Sequence, residues 1–166
     1  MIKLRVSAGA YLYNDRKVLL MKRSPNKDIA PGLWAGIGGH LEHSELNDPT
    51  AACLREIDEE TGIKPYEIQD LRLRYIIHSK RPEEIHLQYH FFGIYKGTKP
   101  LKRTDEGELH WIDEGNIVDL EMPLSVHSLF RHYYEIGKYT DHLYIGASAE
   151  DDGKKFMRWM ILQDWY

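Results

Sequence analysis

Asp48-Pro49-Thr50-Ala51-Ala52-Cys53-Leu54-Arg55-Glu56-Ile57-Asp58-Glu59-Glu60-Thr61-Gly62-Ile63 is the stretch on which the reading turns. Asp48 can accept from free amides of a first helical turn, Pro49 suits the first helical position, and Gly62 with Pro65 beyond it supplies a stop. A helix is expected from Pro49 to Thr61. At about 100° per residue, Glu56, Glu59 and Glu60 share one face, because positions three and four apart are neighbours on a helix surface. Thr50, Cys53, Leu54, Ile57 and Thr61 form a separate, mostly apolar stripe that can pack on a sheet. The clustered carboxylates repel one another and crowd the negative end of the helix dipole, so something should compensate them. A hard divalent cation takes such oxygen ligands, together with water and substrate phosphate. Taken alone, the acidic run also reads as a solvated face balanced by Arg55.

The residues just before the helix change that balance. Gly38-Gly39-His40-Leu41-Glu42-His43-Ser44-Glu45 leads directly to Asp48-Pro49. With the helix, this segment resembles the box of the Nudix hydrolase family, which reads G, five residues, E, seven residues, then R-E-U-x-E-E-x-G-U with U aliphatic. Gly39 and Glu45 match its first half. Arg55, Glu56, Ile57, Glu59, Glu60, Gly62 and Ile63 match its second. One departure exists: nine residues separate Glu45 from Arg55. The two extra residues fall around Leu46 to Pro49, in loop rather than helix, so the helical carboxylate geometry survives and only the placement of Glu45 is put in question.

The resemblance implies an α/β/α sandwich with a mixed central β-sheet, and an enzyme that uses Mg²⁺ or Mn²⁺ to hydrolyse a nucleoside diphosphate linked to another moiety. It implies Glu56, Glu59 and Glu60 as metal ligands, the carbonyl of Gly38 as a further oxygen, and a carboxylate from a loop ahead of Trp111. Of Asp105, Glu106 and Glu108, Glu106 is chosen. Glu56 is preferred as base, and Glu45, Arg55 and Glu59 complete the catalytic set. Arg55 lies round the helix from the carboxylates and is expected to brace the loop through Glu45. Arg23, Trp34 and Gly39 are placed on the substrate side, Arg23 near phosphate and Trp34 against a base or packed under the loop. The short chain and the Gly32-Leu33-Trp34 approach look most like the branch that cleaves oxidised purine triphosphates such as 8-oxo-dGTP to the monophosphate. An ADP-ribose or other nucleoside diphosphate sugar pyrophosphatase is the enzymatic alternative. A nucleotide-sensing module without catalysis and a protein whose acidic helix is only surface are the non-enzymatic ones. The loop from Asp119 to Ser125 is the expected site of base selection.

Around this segment the chain reads as one domain over residues 1–166. Its 166 residues carry 22 Lys+Arg against 26 Asp+Glu, with 42% hydrophobic and 29% charged residues, a soluble globular composition large enough for one core. The net charge of −4, without a basic block, disfavours a duplex nucleic-acid partner. A small nucleotide remains possible through a metal. Cys53, the single cysteine, has no partner for an internal disulfide, and no signal peptide or membrane-length apolar run is found, which points to the cytoplasm. A homodimer is compatible with the sequence, which leaves the oligomeric state open.

Leu4 to Tyr13 and Val18 to Arg23 read as a hairpin, and Ser24 to Gly39 as a Pro- and Gly-rich loop. Strands are expected at Leu71 to His78, His86 to Tyr95 and Glu108 to Ile112, and a second helix at Ser125 to Tyr134. The tail from His142 to Trp165 holds two further strand candidates around an acidic turn, Glu150 to Lys155. His86 and His90 share a strand face by period-two alternation, either along the cleft or, as the more common explanation, as solvent-facing polar residues.

Overall fold

The computed structural model describes residues 1–163; Trp165, the end of the expected tail, lies outside them. One mixed sheet carries the strands β1 (Lys3–Asn14), β2 (Lys17–Arg23), β3 (Trp34–Ala35), β4 (Ile37–His40), β5 (Ile68–Arg81), β6 (Glu84–Tyr95), β7 (Gly107–Asp113), β8 (Tyr144–Asp151) and β9 (Lys154–Ile161). Two helices cover it, α1 (Pro49–Thr61) and α2 (Leu124–Glu135). The path is β3-β2-β1-β6-β5-β8-β9, with β4 also on β1 and β7 also on β2. The β1–β6 and β5–β8 pairs are parallel and the rest antiparallel.

Period-two alternation on β1 sends its side chains into two cores. Ala8, Ala10 and Leu12 pack with Ala52, Cys53 and Ile57 of α1. Tyr11, from between them, packs with Val126, Leu129 and Phe130 of α2. A helix therefore lies on each face of the sheet, as the α/β/α expectation requires. Local chemistry sets the bounds of α1: the Asp48 side chain accepts from the Ala51 amide at 3.0 Å, and Gly62, at φ +76°, donates to the Asp58 carbonyl at 2.9 Å.

Two expectations need correction. The stretch from Ser24 to Gly39 is not all loop, because Trp34–Ala35 pairs with β2 and Ile37–His40 with β1. These strands are short and β4 carries two glycines, so their side chains show little β pattern and their pairing rests on distant backbone. The acidic turn is also narrower than expected. Glu150 and Asp151 pair across β8–β9 with Lys155 and Lys154, leaving only Asp152 and Gly153, both at positive φ, to make the two-residue turn.

Candidate active site

The acidic ridge of α1 meets β4 at the Gly38-Gly39 backbone. Gly38 must lack a side chain, since a Cβ there would stand 2.1 Å from the Ala8 carbonyl oxygen, and a Cβ on Gly39 would stand 2.5 Å from Glu56 Oε1 and displace that carboxylate. The close approach lets the Gly38 amide donate to Glu60 Oε2 at 2.9 Å. Glu60 is only 7% exposed. Burial pushes its carboxyl up to about 8, helped by the charges of Glu56 and Glu106 and opposed by the Gly38 amide. Burial also raises Glu56, against the pull of Arg55.

Arg55 organises the rest. Its Nε and one terminal nitrogen donate to the two oxygens of Glu45, at 2.7 and 2.9 Å. The same terminal nitrogen reaches the His40 carbonyl, while the other donates to Glu56 at 2.8 Å and Glu59 at 3.2 Å. The brace through Glu45 is thus present in the structure, and it extends to two of the ridge carboxylates. Glu45 is held down to about 2 by the guanidinium and by the Glu42 amide. The two extra residues are taken up between Glu45 and the helix cap, where the Asp48 amide turns back onto the Glu45 carbonyl, so Glu45 still faces Arg55.

Arg55, Glu56, Glu59 and Glu60 border a cleft of about 1190 Å³ that also reaches Arg23, Gly38, Gly39 and Glu106, while Glu45 is not among its lining residues. Among the three loop carboxylates considered, Glu106 lines it; Lys27 Nζ donates to Glu106 at 2.6 Å, and Arg23 stands 3.9 Å away. Arg23 further donates to the Ile29 carbonyl, tying the loop down. Trp34 is not among the residues lining the cleft. It packs at the α2 core, edge-on to His110, with Lys22 over its ring. Pro123, Leu124 and Ser125, from the loop expected to select the base, do line the cleft.

Among the described residues no three acidic or histidine side chains converge as oriented to hold a metal ion. The donor set fits one nonetheless. Glu56, Glu59, Glu60 and Glu106 all line the cleft with hard oxygen atoms, and the buried Glu60 carboxyl beside Glu56 is a repulsive arrangement that a divalent cation relieves.

Residues 3–142 match the NUDIX domain family. The chain belongs to the Nudix hydrolases. This Nudix chain is 27% identical over 128 residues to the nucleoside triphosphatase NudI of Escherichia coli, a match covering 72% of the chain and 89% of that protein. It is 43% identical over 54 residues to the m7GpppN-mRNA hydrolase NUDT17 of Xenopus laevis, spanning only 18% of that protein's length. Its fold is that of the mutator MutT protein from Bacillus halodurans, with a TM-score of 0.72 at 21% identity over 93% of this chain and 97% of that one. The Nudix hydrolase is therefore a pyrophosphohydrolase of a family that uses divalent cations. The β8–β9 hairpin lies beyond the matched range and completes the sheet.

Sequence reasoning missed several neighbours of the site. Lys27 was not singled out, since nothing local marks it as the partner of Glu106. For His86 and His90 the less common of the two sequence readings is the one the structure has: both line the cleft, and His90 is 6% exposed. The alternation of His86, Gln88 and His90 on β6 was the available signal.

Proposed function

We propose that this Nudix hydrolase cleaves a nucleoside triphosphate, with an oxidised purine such as 8-oxo-dGTP as preferred substrate, to the monophosphate and pyrophosphate, acting with Mg²⁺ as a single domain in the cytoplasm. The observation that carries the proposal is the ridge of Glu56, Glu59 and Glu60 opening onto a cleft large enough for a nucleotide. The name of the NudI relative, a nucleoside triphosphatase, supports the substrate class.

Glu56, Glu59, Glu60 and Glu106, with the Gly38 carbonyl, would hold the cation. When bound, it supplies charge neutralisation for the phosphates and activation of water. The chain's own residues do the remainder. Arg55 fixes one oxygen of Glu56, leaving the other to accept the proton of the attacking water. Water adds to one phosphorus as the bridging P–O bond breaks, and pyrophosphate leaves with the bonding electrons. Arg23 stands where it can meet a phosphate oxygen once Glu106 turns from it.

A panel of nucleotides with Mg²⁺ and with Mn²⁺, scored by identifying both products, tests this. Monophosphate plus pyrophosphate from an oxidised purine triphosphate is expected. Turnover confined to ADP-ribose or a nucleotide sugar would replace the proposed substrate with the alternative.

A further inference from the structure

Strand β6 lays a row of polar side chains along the floor of the cleft. His86, Gln88 and His90 line it, while Leu87 and Tyr89 between them do not, as period-two alternation requires. Both histidines are engaged by β1: His86 Nε2 lies 2.9 Å from the Ser7 hydroxyl, and His90 Nδ1 lies 3.2 Å from the Tyr11 hydroxyl. Gln88 differs. It is half-buried, and its side-chain amide makes no hydrogen bond with the described residues. One acceptor and two donors are therefore unspent at the cleft floor.

Its neighbours cannot take them up. Ser7, opposite Gln88 on β1, is bonded to His86, and Ile77, opposite on β5, is an apolar residue fully buried in the α2 core. On this same side of the sheet the start of α2 borders the cleft with Pro123 and Leu124, and Leu124 is 44% exposed although it is large and apolar. Apolar surface together with a free amide matches a heterocycle, which has apolar faces and a polar edge.

Strand register sets the distance from the acidic ridge. Gly38, which donates to Glu60, pairs with Gly9, and Gly9 pairs in turn with His90. Gln88 is two residues along β6 from that row, so it stands about 10 Å across the strands and about 7 Å along them from Gly38. A phosphate held at the ridge leaves a sugar and a base to cover that span. They cross Gly9, which presents no side chain.

The chemistry of the amide decides what it can read. Its terminal torsion is two-fold, so the oxygen and nitrogen can exchange places. The edge of a 6-oxopurine offers an N1–H donor beside an oxygen acceptor, and that of a 6-aminopurine offers an amino donor beside a bare N1. Gln88 can make two hydrogen bonds to the first in one orientation and two to the second in the other.

We propose that Gln88 is a specificity-determining residue that meets the N1 and position-6 edge of the substrate's purine, and that it admits the oxo and the amino edge alike. Selection of an oxidised base is then exercised on the five-membered ring, away from Gln88. This rests on the reading that phosphates occupy the glutamate ridge.

Calorimetry with GMP, AMP and pyrophosphate in the presence of Mg²⁺ tests it on two variants. Gln88→Leu removes both kinds of bonding group and should weaken GMP and AMP by a similar factor, about tenfold, with pyrophosphate binding unchanged. Gln88→Glu leaves acceptors only. Guanine meets them with neighbouring N1–H and amino donors, whereas adenine sets its bare N1 against the carboxylate. The ratio of GMP to AMP affinity should therefore rise about tenfold or more above that of the wild type, a gain that loss of packing would not produce. Wild-type affinities in Gln88→Leu, an unchanged ratio in Gln88→Glu, or a matching loss of pyrophosphate binding in either variant would overturn the proposal. Hydrolysis of triphosphates with nucleotide binding indifferent to Gln88 would remove this inference and leave the proposed activity standing. The stated shifts in binding without hydrolysis of any triphosphate would do the reverse.

Discussion

At the scale of single residues, the site is an argument about which group holds which oxygen. Arg55 spreads one guanidinium over Glu45, Glu56 and Glu59, and lysine cannot reproduce that planar fork. Arg55→Lys is expected to lower kcat by about 10-fold or more with little change in the melting temperature, checked by steady-state kinetics beside thermal unfolding. Glu45→Gln removes only the outer partner of Arg55 and should cost less than Glu56→Gln; an equal loss would mean that Glu45 itself touches the reaction. The ridge was legible in the sequence because three carboxylates at helical spacing need only the helix to come together. Arg55 with Glu45 was legible for the same local reason. Lys27 with Glu106 and Tyr11 with His90 were not, since each pair is separated by 79 residues and joined only by strand pairing.

Elements show the same division. The bounds of α1 could be read to the residue because Asp48, Pro49 and Gly62 act on adjacent backbone, whereas β3 and β4 depend on partners in β2 and β1, β3 is two residues long, and β4 carries glycines where a strand former would be expected. The face that α1 buries sets its contribution to stability. Ile57, fully buried between the ridge and the sheet, should cost about 2–5 kcal/mol when truncated to alanine, measured by urea unfolding. Gly39→Ala tests the other face of the contact. Its Cβ would displace the Glu56 carboxylate rather than core atoms, so turnover should fall by about tenfold or more while stability changes little. A large loss of stability instead would show that β4 and α1 are packed more rigidly than this geometry requires.

For the molecule as a whole, two buried ionisable groups shape its response to conditions. His90 titrates near 6.5 when unfolded and near 3 when folded. The unfolded chain therefore binds the extra proton between those values, so the associated stability is present above about pH 6.5 and is lost as pH falls toward 3. His90→Phe should flatten the decline of unfolding free energy over that range by up to about 1.4 kcal/mol per pH unit, checked by denaturant unfolding at several pH values. Glu60 is the second group, and its place beside Glu56 serves the site at the expense of the metal-free fold. The proposed grip of this ridge on the divalent cation that hydrolysis needs is probed by Glu60→Gln, because the amide keeps the shape and can still accept from Gly38. Titrated with Mn²⁺ and assayed on a nucleoside triphosphate, the variant should bind the ion more weakly and lose at least about 100-fold in turnover while melting at or above the wild-type temperature. Near-normal ion binding and turnover in Glu60→Gln would contradict the account.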